Sequence, residues 1–263
     1  MIEAGLGIYA VAIPALLLAL LAAAEAIWPR RNLVLGRHPR WLTHALFFVT
    51  NAVVGRLLSL IIVVGVAADW AATNNFGLLN LTDWPWLAEA AVAFIILDFA
   101  VWLQQRLMHH SPLLWRMHKV HHSDRDLDAT TALRFHPFEL IVSTLYKSLW
   151  VAVLGVPVLV ALAFELWLNA NALFNHSNIR LPRRLDRIIR YFIVTPDMHL
   201  VHHSIIVNEQ HRNYGFALTI WDRLFGTYAN EPVLGREKQA IGLAEVADNR
   251  PSGFLWSMKL PLT

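Results

Sequence analysis

Long apolar runs with few charges leave this chain very few ways to fold. Residues 5–27, 45–68 and 86–104 each approach the roughly 20 residues that cross a hydrocarbon layer, and a fourth run, 137–176, is twice that length. Gly155-Val156-Pro157 interrupts the fourth run near its middle. Proline cannot continue a helix interior, so this run is predicted to be a helical hairpin that crosses and returns. Hydrophobic residues make up 56% of the chain and charged residues 16%, against roughly 45–50% and 25% in soluble domains. The expected fold is an all-α integral membrane protein. The first run has no positive segment ahead of it and carries its arginines behind it, which fits an uncleaved span better than a signal peptide.

Loop charge predicts the orientation. Arg30, Arg31, Arg37 and Arg40 follow the first run, whereas the loop between the second and third holds Asp69 and Asp83 and no lysine or arginine. Arg106, Arg116, Lys119, Arg125 and Arg134 follow the third run, and Arg180, Arg183, Arg184, Arg187 and Arg190 follow the hairpin. The N-terminus is thus expected outside and the C-terminal half in the cytoplasm. Trp28, Trp41, Trp70, Trp84 and Trp86 stand at predicted span ends, where indoles favour the interface. Arg56 and Lys147 lie inside spans and are expected to snorkel or to pair between helices. The expected organisation is three spans in 1–104, a first histidine segment in 105–136, the hairpin in 137–176, and a second histidine segment with the C-terminal region in 177–263. Both histidine segments then share one aqueous face.

Thirteen histidines stand out, and nine of them fall in 109–122 and 199–211. With no cysteine, any metal must be held by nitrogen and oxygen. The net charge of +3 gives no reason to expect nucleic acid as a partner. His118, His121 and His122 form an H-x-x-H-H pattern, repeated by His199, His202 and His203. Positions i, i+3 and i+4 of a helix share one face. Two such triplets facing each other supply six nitrogens, suited to two iron ions or to zinc. A lone interfacial histidine is usually a hydrogen-bonded or exposed side chain, which explains one residue well and two identical triplets poorly.

Asp98, Trp102, Gln105 and His109 share a face of the third helix. Asp98 is placed either to fix the tautomer of a ligating imidazole or to pair with Arg106 or Lys147. His176, at the end of the hairpin, is a ligand candidate; His136 is at least as fit for a structural role, and His211 is a weaker candidate. Asp197 is a further candidate near the second triplet, and His38 and His44 read as ordinary interfacial residues.

At these residues the sequence resembles the fatty acid hydroxylase superfamily, also called the sterol desaturase family. The resemblance runs from about Asp98 to Tyr228. It is carried by Leu114-Trp115-Arg116-Met117-His118-Lys119-Val120-His121-His122-Ser123, Arg134-Phe135-His136-Pro137 and Phe174-Asn175-His176-Ser177-Asn178. Thr195-Pro196-Asp197-Met198-His199-Leu200-Val201-His202-His203-Ser204 and Trp221-Asp222-Arg223-Leu224-Phe225-Gly226-Thr227 complete it. The resemblance implies a four-helix membrane base, a cytosolic histidine-rich cap, and O₂-dependent hydroxylation or desaturation of a lipid such as a fatty acid or sterol. It implies a di-iron centre on His109, His118, His121, His122, His176, His199, His202 and His203, with zinc as a substitute in purified protein. In two places the chain departs from the family pattern. Gln105 stands where the first box usually begins with histidine, and Ala172 stands where the third box often carries one. Gln105 offers a carbonyl or a water-bridged contact, and Asn171 is the neighbouring donor at the second place.

A saturated C–H bond demands a cofactor-borne oxidant. No G-x-G-x-x-G nucleotide fingerprint and no haem domain is present, so electrons are expected from a separate ferredoxin, cytochrome b5 or reductase-type donor. Substrate is expected to enter from the bilayer. A zinc hydrolase would carry H-E-x-x-H, which neither box contains. A non-catalytic metal-binding membrane protein stays open as the alternative.

Overall fold

The computed structural model describes residues 2–58, 64–236 and 238–263, with side chains described from residue 12 onward. Among the described residues the fold is helical, and three isolated β-bridges are its only extended pairings. Helices α1 (Ile2–Ile27), α2 (His38–Leu58), α3 (Val64–Thr73) and α4 (Trp86–His110) lead to the short α5 (Pro112–His122). Helices α6 (Pro137–Leu154) and α7 (Val158–His176) form a pair, and the small helices α8 (Arg183–Ile189) to α12 (Phe254–Lys259) follow. Four of these, α2, α4, α6 and α7, are long and apolar enough to cross a membrane, which is compatible with a multi-pass membrane protein. The described apolar part of α1 spans Ala12–Ile27. The second predicted span, 45–68, falls on α2 and α3, and its residues 59–63 lie outside the described residues.

The long helices are apolar on both sides, as a helix surrounded by hydrocarbon must be. Inward, Ala68, Ala93, Leu97, Val151, Leu154 and Phe164 join α3, α4, α6 and α7 in one buried cluster. Outward, Leu16, Val53, Leu57, Leu149 and Leu159 are exposed. Gly155 ends α6 in the left-handed region at φ 71°, a conformation that costs glycine little. A Cβ at Gly77 would lie 2.2 Å from the backbone nitrogen of Gly155, so the turn between α6 and α7 rests directly on the 76–80 loop.

Charged residues join the cap to the spans. Arg40, fully buried in α2, places Nε and Nη2 each 2.8 Å from the two Asp124 oxygens and Nη1 2.6 Å from Asp128. Burial alone would raise the Asp124 pKa, but the Arg40 guanidinium holds it well below the usual carboxylate range. His44 is not an interfacial side chain: it is fully buried, with Nδ1 2.8 Å from Thr130 Oγ1 and Nε2 3.0 Å from Asp124. The 122–134 loop folds back over α2 and brings these partners to it, which local spacing does not reveal. Lys147 pairs with Glu165 across α6 and α7 at 2.7 Å.

Removing one partner from a buried ion pair leaves the other charge uncompensated. Arg40→Ala is therefore expected to destabilise the protein by about 3–5 kcal/mol, read as a fall in unfolding midpoint in detergent. A shift within error would show that the cap is not anchored through Arg40.

Candidate metal centre

Each histidine reaches the centre through a local device. Helix α4 ends at His110, and Ser111 serves both as its C-cap and as the N-cap of α5, its side chain accepting from the Leu114 backbone N–H. Pro112 takes the first turn of α5, where a missing N–H costs nothing. This one-residue joint folds α5 back so that His109 meets His118 and His122, with ring centroids 5.0 and 4.7 Å away. His176 is the last residue of α7, and its Nδ1 faces the Ala172 carbonyl one turn earlier at 2.7 Å. Pro196 opens α9 (Pro196–His202), which carries His199 and His202 and ends at His203.

The two triplets interleave. His122 stacks on His203 with centroids 4.4 Å apart, and His109 lies 4.5 Å from His202. His109, His118, His122 and His202 form one group and His121, His176, His199 and His203 a second, with the candidate ligand atoms of each within 4.8 Å of one another. None of the eight exposes more than 6% of its surface. Outer partners fix four tautomers: Nδ1 faces Glu139 Oε1 at 2.7 Å in His118, the Arg134 carbonyl at 3.3 Å in His121, and the Arg212 carbonyl at 2.8 Å in His202, as in His176. Since those partners accept, each Nδ1 donates and each Nε2 is left as an inward lone pair.

These lone pairs fit a cation. The Nε2 atoms of His121 and His176 are 3.0 Å apart, both as acceptors, a contact that repels unless positive charge lies against them. Both ring nitrogens of His109 and of His122 are buried with no hydrogen-bond partner among the described residues, at a desolvation cost that coordination would offset. A proton is a poor occupant. Burial, reinforced by the neighbouring imidazoles, pushes His121, His122, His199 and His203 well below the ordinary 6.5 and His202 down to about 3. Neutral imidazoles without thiolates or carboxylates inside the shell make a donor set suited to iron or zinc.

Of the other sequence candidates, Gln105 reaches between the imidazoles, its Nε2 lying 2.9 Å from His118 Nε2 and 3.0 Å from His202 Nε2. Asp98 instead accepts from Trp221 Nε1 at 2.8 Å and the Leu218 backbone at 3.4 Å, because Leu218 and the start of α11 (Ile220–Leu224) pack on that face of α4. His136 caps α6 by accepting from the Phe138 backbone. Asn171 donates back to Trp167 within its own helix. Asp197 points to the surface side, paired with Arg30 at 2.8 Å and with Arg236. His211 is outside both groups but its ring lies edge-on to His109, centroids 5.8 Å apart, with its Nδ1 3.1 Å from the Tyr214 hydroxyl.

Two contributors are not evident from the histidine pattern. Glu139, buried two residues into α6, orients His118; a carboxylate at the mouth of an apolar run was the available signal, since it is costly there unless paired. Tyr214 is buried against His109 and His202 and carries no such signal. A cavity of about 290 Å³ opens on Gln105 and Glu139 and runs between α2, α4, α6 and α7, lined by Phe48, Val101, Met108, Leu140, Leu168 and Phe216. A larger cleft of about 740 Å³ is lined by Arg30, Arg180, Arg183, Asp197 and Arg236, and its charged walls do not suit an apolar ligand.

A family model described as fatty acid hydroxylase matches residues 90–227. The chain is 32% identical to the ornithine lipid hydroxylase OlsE of Rhizobium tropici over 155 residues, which is 57% of this chain and 44% of that protein. It is 28% identical to the alkylglycerol monooxygenase of Homo sapiens over 217 residues, 79% of this chain and 45% of that protein. With the fatty acid hydroxylase vlmA of a Lecanicillium species it shares 30% over 171 residues, 58% of this chain and 45% of that protein. The chain thus spans less than half the length of these curated relatives. No solved structure matches it.

The imidazoles also set a pH dependence. His202 holds its pKa at about 3 in the fold against an ordinary 6.5, so between those values the unfolded chain binds a proton that the folded chain refuses. Stability present at neutral pH is therefore lost as pH falls through that window. The melting temperature in detergent should fall progressively from about pH 6.5 towards about pH 3, with loss of any bound metal over the same range. A flat profile would contradict buried neutral imidazoles.

Proposed function

The chain belongs to the fatty acid hydroxylase family, and on that premise we propose that it is a membrane-embedded iron-dependent enzyme that hydroxylates a lipid with O₂. The observation that carries this reading is the pair of buried four-imidazole groups beside an apolar cavity between the spans, whose wall includes Gln105 and Glu139, partners of His118 and His202, and Phe135, stacked on His121. The names of the relatives favour hydroxylation over desaturation.

His109, His118, His122 and His202 would hold one iron ion and His121, His176, His199 and His203 a second, and such ions would supply the O₂-derived oxidant that a saturated C–H bond requires and that no side chain provides. The protein's own part is positioning and exclusion of water. Outer hydrogen bonds donated by Nδ1 to the Glu139 carboxylate and to the Arg134, Ala172 and Arg212 carbonyls keep the Nε2 lone pairs of His118, His121, His176 and His202 directed inward before any cation arrives. At about 290 Å³ the cavity stands near the lower end of small-molecule sites, roughly 300–1,000 Å³, and suits a lipid tail better than a whole headgroup. Phe135 closes the metal side of it, its ring stacked 4.5 Å from His121. The tail enters from the bilayer, and its reacting carbon comes to rest beside Gln105.

The basic loops between the spans favour a cytoplasmic side for the histidine cap. There a separate ferredoxin, cytochrome b5 or reductase-type donor delivers electrons.

Purified protein should contain two irons per chain and, with O₂, a reductant and a panel of membrane lipids, should transfer one atom of ¹⁸O₂ into a lipid. His121→Ala and His202→Ala should each abolish incorporation. Lipid turnover without O₂, or two bound irons with no lipid oxidised across the panel, would overturn the proposal. Lipid profiles of cells with and without the chain should then differ by a hydroxylated species.

A further inference from the structure

Gln105 reaches between two imidazoles whose hydrogen-bonding roles are already fixed. His118 Nδ1 faces a carboxylate and His202 Nδ1 a carbonyl, so both Nε2 atoms are acceptors. The Gln105 atom 2.9 and 3.0 Å from them must therefore be the amide NH₂, whose two hydrogens match the two lone pairs. An amide oxygen in that place would oppose both. A cation on the same lone pairs reverses the requirement: the NH₂ group would aim its hydrogens at positive charge, whereas a half-turn about Cγ–Cδ exchanges nitrogen for oxygen with little displacement of the side chain.

We infer that the Gln105 amide is a two-position plug that makes the two metal positions unequal. With no cation it caps His118 and His202 through NH₂; when a cation enters the His109, His118, His122 and His202 group, it turns and presents Oε1 as a weak fifth donor. Metal must displace the amide to enter this group. In the other group, among the described residues, no amide or other side chain reaches in among the imidazoles: His121 and His176 hold opposed lone pairs 3.0 Å apart, and the remaining close contacts are between the rings themselves, His199 Nε2 lying 3.0 Å from His176 Nε2 and 3.2 Å from His203 Nε2. The His121, His176, His199 and His203 position therefore fills first and holds tighter. This inference rests on the reading that both groups bind metal.

The test is a titration of the metal-free protein in detergent with Co²⁺, followed by its visible ligand-field absorption and by calorimetry, without reference to turnover. Wild type should bind two ions in two steps, the second at least about tenfold weaker, a difference of about 1.4 kcal/mol. Gln105→His should tighten the second step about tenfold or more and leave the first unmoved. Metal-free Gln105→Leu, with its imidazoles uncapped, should melt below metal-free wild type. Two equivalent sites in wild type, a shift of the first step in Gln105→His, or an unchanged melting temperature in Gln105→Leu would each overturn the plug while leaving the metal centre standing. Absence of any cobalt binding by wild type would instead overturn the metal reading itself.

Discussion

Inward lone pairs on buried, neutral imidazoles are the constraint on which the rest of the structure depends. Eight imidazoles are withdrawn from water, and burial together with their mutual proximity pushes the pKa values of His121, His122, His199 and His203 well below the ordinary 6.5. Their polar atoms gain nothing from water, and two Nε2 atoms face each other as acceptors. Such a cluster is stable only if the surrounding chain prevents the rings from rotating away and if positive charge other than a proton resolves the opposed lone pairs. The outer acceptors do the first. The proposed metal ions would do the second.

The scaffold explains how so costly a cluster stays assembled. The spans supply two histidines directly, His109 near the end of α4 and His176 at the end of α7, while short helices begun by Pro112 and Pro196 supply the rest. Behind the 122–134 loop, Arg40, Asp124, Asp128 and Thr131 form a buried, hydrogen-bonded network that fixes the loop to α2. Asp98 and Asp222 do the same on the far side. Asp98 receives the Trp221 indole, and Asp222 receives the Trp102 indole and the backbone N–H groups of Tyr214 and Gly215. Asp98, a candidate partner of a ligating imidazole in the sequence, thus acts as a clamp between cap and spans.

What could be read from the sequence was what helix periodicity fixes locally. The i, i+3, i+4 spacing put three imidazoles on one face, and the apolar runs marked helices long enough to cross a membrane. Relations across more than a hundred residues were not legible. Nothing near Asp98 announces Trp221, and nothing in a basic loop announces that Arg40 and His44 would be buried against Asp124. Gln105 was visible as a departure from the family pattern, but its simultaneous contact with His118 and His202 exists only because α5 and α9 converge on it. Glu139 escaped notice for a related reason: a carboxylate in an apolar run has meaning only once its partner is known.

The most direct test of the central claim is X-ray absorption at the metal edge of the purified protein. Close to two metal ions per chain are expected, with a nitrogen-rich nearest shell, the outer-shell scattering of several imidazoles and a second metal ion close by. Metal found with an oxygen-dominated shell and no imidazole signature, or protein that folds and turns over lipid with none bound, would contradict it.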